Sequence, residues 1–206
     1  MPVSAPDHRS RFPASRPQAG GHADGAALAI VERAMTLVQV TARRGRQAEV
    51  AAAVAEGFGL ALPAVGAIAT NADKAVLWLQ PESWLITAPA ASAGSLPAAL
   101  ATALKSAAAV VDQSHGRCVL DISGDAARAV LARLCRLDLD ARAFAPDRCA
   151  ATLVGHVPCL VHRTGTATPG FSLIVASTFA EWLLDQIAAA AASCGWRFTP
   201  ANAVAA

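Results

Sequence analysis

Nowhere in these 206 residues is there a run of about 20 strongly apolar positions, the length a membrane-spanning helix needs, although 54% of the residues are hydrophobic. Alanine inflates that fraction, and the chain is expected to be soluble with no membrane partner. Charge of one sign is equally scarce: 17 Lys and Arg stand against 15 Asp and Glu, too even a balance for an electrostatic grip on nucleic acid or an anionic surface. Phosphate-cradling motifs are missing too. Without Gly-x-Gly-x-x-Gly, Gly-x-x-x-x-Gly-Lys-Ser/Thr or Gly-x-Ser-x-Gly, dinucleotide, nucleotide triphosphate and hydrolase chemistries lack their usual local signatures.

Cysteine is present without a pattern. Cys118, Cys135, Cys149, Cys159 and Cys194 form no Cys-x-x-Cys pair, so they are expected to be buried thiols in a reducing, cytoplasmic setting. Cys149 and Cys159 with His156 and His162 lie in two β-like runs without metal-ligand spacing, and no metal is expected in this chain.

The length fits one ordinary domain, expected over 27–200, between a disordered tail at 1–26 and a short tail at 201–206. Residues 1–26 hold four prolines and Arg9, Arg11 and Arg16 but no apolar core of a secretory signal. Prolines and Asp7 also spoil an amphipathic presequence helix, leaving a tail that orders against a partner subunit as the favoured reading.

Along the domain, residues 35–41 predict a strand, and 45–56 a helix stopped by Gly57 and Gly59. Two β-prone runs, 75–79 and 84–88, flank the turn Gln80-Pro81-Glu82-Ser83. Ser95 is positioned to cap a helix striped by Leu96, Leu100 and Leu104, and 110–112 resume the strand pattern. Strand, helix, strand, strand, helix, strand is the order of a ferredoxin-like βαββαβ unit. A second hairpin is expected to return through Gln113-Ser114-His115-Gly116-Arg117 into 118–122. There Ser123 is positioned to cap a helix with Asp125 in its first turn and a stripe of Ala127, Val130, Leu131 and Leu134. A hairpin at 149–154 and 157–163 and a strand at 171–175 follow. The last helix is read with a Thr178/Glu181 capping box and an inner face of Phe179, Trp182, Leu183 and Ile187.

Candidate chemistry is sparse. Asp112, Ser114 and His115 have the residue types of an activated nucleophile, but neighbours on extended backbone point to opposite sides, and a polar turn is the simpler reading. Asp138 and Asp140 read as solvated loop carboxylates rather than an acid–base pair. Of the tryptophans, Trp78 and Trp182 are assigned to the core, and Trp84 is retained as a surface or interface anchor.

One ordered set of blocks carries more. Pro81-Glu82-Ser83-Trp84-Leu85, Val111-Asp112-Gln113-Ser114-His115-Gly116-Arg117, Ser123-Gly124-Asp125-Ala126-Ala127-Arg128 and Cys135-Arg136-Leu137-Asp138-Leu139 are followed by Phe144-Ala145-Pro146-Asp147-Arg148-Cys149-Ala150-Ala151-Thr152-Leu153 and Ser177-Thr178-Phe179-Ala180-Glu181-Trp182-Leu183. Their succession over residues 35–197 resembles the γ subunit of heterotetrameric sarcosine oxidase. The resemblance implies an α+β fold similar to part of the glycine-cleavage aminomethyltransferase, in which the ferredoxin-like unit is extended by further antiparallel strands and two helices. It also implies a subunit with no catalytic, cofactor-binding or metal-binding residue of its own. Its partners would be α, β and δ subunits that hold FAD, FMN, NAD and tetrahydrofolate, with zinc in δ. The complex would oxidise sarcosine to glycine with hydrogen peroxide, passing the one-carbon unit to tetrahydrofolate. Two alternatives stay open: a γ-like subunit of a related N-methyl amino acid oxidase or dehydrogenase, and a free-standing folate-binding one-carbon protein. The latter needs an acidic side chain for the pterin, with Asp112, Asp121 and Glu82 as candidates.

Overall fold

The computed structural model describes residues 10–21, 25, 27–164 and 170–203. Where a single domain is expected from the sequence, the chain divides into two compact units. One comprises Met35–Gly116; the other combines His8–Ala34 with Arg117–Ala206.

In the first unit, β3 (Met35–Ala42) leads into α1 (Gln47–Phe58), then β4 (Ile68–Asn71), β5 (Lys74–Gln80), β6 (Ser83–Pro89), α2 (Ser95–Leu104) and β7 (Ala108–Asp112). The sheet order is β4-β5-β6-β3-β7, antiparallel throughout. Without edge strand β4, this is the ferredoxin-like βαββαβ arrangement that the sequence predicts. Helix α1 runs through Gly57, which does not stop it, and ends as expected at Gly59, which takes the left-handed conformation at φ 63° with its N–H on the Ala55 carbonyl. Val50 and Val54 of α1 and Leu96, Leu100 and Leu104 of α2 bury one apolar stripe each against Val38, Val40, Val76 and Ile86 of the sheet. Each such fully buried side chain contributes roughly 1.5–3 kcal/mol relative to exposure.

The second unit repeats that chain order. Strand β8 (Arg117–Ser123) is followed by α3 (Ala127–Leu134), β9 (Cys149–Val154), β10 (Val157–Thr164), β11 (Gly170–Ala176), α4 (Ala180–Ala190) and β12 (Trp196–Thr199). Its sheet order, β9-β10-β11-β8-β2-β12-β1, matches the first unit's except that β2 (Leu28–Arg33) enters between β8 and β12, and β1 (Ala19–Gly20) adds to the edge. Leu28, Ile30, Leu120, Ile122, Phe171 and Leu173 form the sheet side of a core closed by Val130, Leu131, Leu183, Leu184 and Ile187.

Several local expectations are corrected. Strands β7 and β8 do not pair: β7 lies beside β3, whereas β8 lies between β2 and β11, so the turn between them joins two sheets. None of the three side-chain caps forms. Ser95 is already inside α2, and its hydroxyl donates to the Ser92 carbonyl. Ser123 is held in the ladder opposite Ala29 and Gly170, and Ser177–Phe179 form a 3-10 turn that displaces Thr178 from the cap position. The part of the N-terminal tail that is described is packed rather than disordered: Phe12 is buried edge-on against Phe198, with ring centroids 4.8 Å apart, and β1 pairs with β12. Residues 1–9, 22–24 and 26 of that tail, and 204–206 at the other end, lie outside the described residues.

Candidate functional site

The sequence-level candidates turn out to be spent on structure. Asp112 ends β7 and accepts both the Ser114 backbone N–H at 2.9 Å and the Ser114 hydroxyl at 2.6 Å. The Ser114 Oγ in turn accepts the Leu37 N–H at 3.0 Å, and Ser114 is buried. The hydroxyl therefore satisfies a backbone donor at the start of β3, and the motif closes the first unit where the chain leaves it. Asp138 caps the turn by accepting the Asp140 N–H. Asp140 is tied to Arg142 and Arg128 at 2.9 Å each, and hydrogen bonds from Arg142, followed by the two guanidinium charges, hold its carboxyl below the usual carboxylate range. Both aspartates organise a loop.

Strand alternation disperses the cysteines and histidines. Cys159 faces the helices in the core, His156 lies in the β9–β10 turn, and Cys149 stands opposite His162 on the other face of the sheet. Among the described residues, no group of three or more His, Cys, Asp and Glu is placed to hold a metal ion. The opposite face does carry a polar row that sequence reading misses: Cys149, His162, Ser172 and Asp121 are direct cross-strand neighbours on β9, β10, β11 and β8. Only register, a long-range property, reveals it. Burial lowers the His162 imidazole, opposed by its contact with the Arg163 carbonyl and by Asp121.

Two tryptophan assignments are reversed, while Trp78 packs, partly buried, against the first core as expected. Trp84 is only 2% exposed, because its indole N–H reaches the Pro63 carbonyl at 3.2 Å and the ring fills the first core. Trp182 is 53% exposed, with its indole N–H on the Gly155 carbonyl at 3.3 Å, and Phe179 one turn earlier is 47% exposed. The buried face of α4 is Ala180, Leu183, Leu184 and Ile187. Beside Trp182 lies a cleft of about 240 Å³ lined by Arg133, Cys135, Arg136, Gly155, His156 and Gln186, with no carboxylate among the described residues of its wall. Gly155 and His156 both have positive φ, as a two-residue hairpin turn requires, and any Cβ on Gly155 would press on the Gln186 side chain at 3.0 Å.

The acids considered for a pterin are distributed over the two units. Glu82 sits in the β5–β6 turn, Asp112 is bonded to Ser114 further along the same sheet, and Asp121 belongs to the second unit with Arg33 at 3.6 Å.

The family model described as Sarcosine oxidase, gamma subunit family matches residues 44–193. The sarcosine oxidase subunit gamma of an Arthrobacter species is 40% identical over 144 residues, 66% of this chain and 68% of the relative. That of Corynebacterium sp. (strain U-96) is 35% identical over 170 residues, 76% of this chain and 80% of the relative. Among solved structures, a chain of the heterotetrameric sarcosine oxidase from Corynebacterium sp. U-96, in complex with pyrrole 2-carboxylate, matches with a TM-score of 0.72 at 31% identity. It covers 82% of this chain and 86% of that one. The glycine cleavage system aminomethyltransferase T from Bartonella henselae shares the fold, with a TM-score of 0.63 at 16% identity over 86% of this chain and 49% of the larger protein. A chain matched over most of its length by the family model and by relatives above 30% identity belongs to the sarcosine oxidase gamma subunit family.

Proposed function

We propose that this chain is the non-catalytic γ subunit of a heterotetrameric sarcosine oxidase, assembling in the cytoplasm with α, β and δ subunits. The observation that carries the reading is the 31%-identical match over most of this chain to a chain of a heterotetrameric sarcosine oxidase. The site chemistry agrees with it. The reactive-looking side chains Asp112, Ser114, Asp138 and Asp140 bond the local backbone and one another, so they hold turns together. In this reading FAD, FMN, NAD and tetrahydrofolate belong to the larger subunits and zinc to δ, and the complex demethylates sarcosine to glycine. This chain contributes surface and rigidity.

Affinity purification of the tagged full chain from its native cell tests the assembly, with co-recovery of a large flavoprotein expected. Recovery of no flavoprotein would sink the reading. Turnover of the recovered complex on sarcosine, against other N-methyl amino acids, decides the substrate and separates this reading from a related oxidase or dehydrogenase. The fold shared with aminomethyltransferase T keeps one rival, a free-standing folate-binding protein. Calorimetry of the isolated chain with tetrahydrofolate separates it, since the γ-subunit reading expects no heat of binding.

A further inference from the structure

In the second unit, α3 ends at Leu134 and hands over to Cys135, which bridges to Val154 of edge strand β9, while the Gly155 N–H bonds the Leu134 carbonyl at 3.0 Å. The end of α3 and the β9–β10 turn are thereby one rigid ledge. Helix α4 crosses it through Gln186, packed on Gly155, and through Trp182, whose indole N–H is anchored on the same residue. Arg133 fastens α3 to α4 by donating to the Ala190 carbonyl at 2.7 Å. The products of this geometry are adjacent: a small cleft with two guanidinium groups and an imidazole in its wall, and an exposed Trp182–Phe179 pair at helical i, i+3 spacing. Of the acids of α4, Asp185 is already paired, with Arg16 donating to its carboxylate and to the Glu181 carbonyl.

Phe179, at the end of the 3-10 turn, and Trp182, three positions on in the first turn of α4, are both exposed large apolar side chains. Trp and Arg are the residue types most often found carrying binding energy at protein interfaces, where a central apolar anchor sits beside a charge that fixes register. Trp182 is also held in one orientation before any partner arrives, which lowers the ordering cost of binding. A basic wall with no carboxylate among its described residues calls for an acidic group.

We propose that the ledge formed by the end of α3, the β9–β10 turn and the outer face of α4 docks a segment of one of the larger oxidase subunits. That segment presents a carboxylate to Arg136 and His156 next to an apolar side chain that covers Trp182 and Phe179. The proposal rests on the γ-subunit reading above, and it goes further by naming the surface and the chemistry of what lies on it.

The test uses the tagged full chain co-expressed with its partner subunits. Wild type retains the flavoprotein; Arg136→Glu and Trp182→Ala each lower retention by about tenfold or more, the scale of losing one interface anchor. Trp182→Phe, which keeps an aromatic face, retains most of it. Val65→Asp, at an exposed apolar position of the first unit, leaves retention unchanged. A second readout needs no variant: Cys135 lines the cleft and is partly exposed, so its alkylation is slowed about tenfold or more in the complex, while partly exposed Cys194 keeps its free-chain rate. If a variant chain fails to fold, Cys135 protection in wild type decides alone. Retention by both folded variants, or unslowed Cys135 alkylation in the complex, overturns the docking surface and leaves the γ-subunit reading standing. No flavoprotein on wild type overturns both.

Discussion

Ser114 shows how a residue that looks reactive in sequence is used structurally. Its hydroxyl accepts the buried Leu37 N–H and donates to Asp112, so Ser114→Ala strands a backbone donor. The expected loss is about 1–3 kcal/mol in denaturant unfolding of the chain, and Ser114→Thr, which keeps the hydroxyl, recovers part of it. Three of the five cysteines, Cys118, Cys149 and Cys159, are buried as expected, while Cys135 and Cys194 are partly exposed. Burial, with a smaller contribution from Glu32, pushes Cys118 up to about 12, and burial with Cys135 does the same to Cys159. Thiolates are therefore scarce at neutral pH, and mass spectrometry after brief alkylation of the native chain should find label on Cys135 and Cys194 well before Cys118 and Cys159. His162 gives a pH signature. Its folded pKa lies below the ordinary 6.5 because burial disfavours the imidazolium, so the unfolded chain takes up the proton first as pH falls. The stabilisation is complete above 6.5 and is lost as pH drops toward the folded value. Unfolding free energy measured across that window should slope downward toward acid, and His162→Gln should flatten the slope.

At the scale of elements, what could be read in advance was local. Helix α1 with its Gly59 stop and the leucine stripe of α2 depend on residues close in sequence, and both stand. Pairing β7 with β8 failed because two adjacent strands with a turn between them look like a hairpin whichever sheet each one joins. Trp182 has the right spacing for a core stripe, but Ala180, Leu183, Leu184 and Ile187 bury an equally spaced face rotated away from it. Strands β2 and β12 escape a local reading because their partners are remote in sequence, and β12 is also only four residues long. Gly124 is where such remote pairing becomes a hard constraint. Its φ of 115° suits glycine, and a Cβ there would stand 2.3 Å from the Ala27 carbonyl just before β2. Gly124→Ala is expected to cost about 1–3 kcal/mol by thermal or chemical unfolding, more than the same change at Gly57, which has open space around it.

At the scale of the whole molecule, the feature that sequence left unseen is the return of the chain order β-α-β-β-β-α-β in two units. Neither unit resembles the other in motif, since packing and pairing conserve topology without conserving residue identity. The candidate site was legible by residue type and unreadable by position: arginines and tryptophans were visible, but only tertiary structure puts Arg136, His156 and Trp182 on one ledge. The second unit also has a buried clamp for its ends. Glu32, 4% exposed, accepts from the Ser10 hydroxyl, the Arg11 N–H and the Ala201 N–H. Hydrogen bonds to a charged group are worth about 1.5–3 kcal/mol, so Glu32→Ala should release both segments together, seen as faster amide exchange near Arg11 and Ala201 with β6 and α2 unaffected.

Strand β2 leaves the ribosome early, yet both strands that flank it are encoded after the whole Met35–Gly116 unit. During synthesis the inserted unit has all its strands and helices available first, and β2 waits unpaired until β8 arrives and, last of all, β12. A ribosome stalled once Gly116 has cleared the exit tunnel should thus carry a protease-resistant core of the first unit behind a still-cleavable leader, and resistance of that leader should appear only after β8 and β12 have emerged. Among the outer elements, the strands that emerge first are held back until their partners, encoded after the inserted unit, are made.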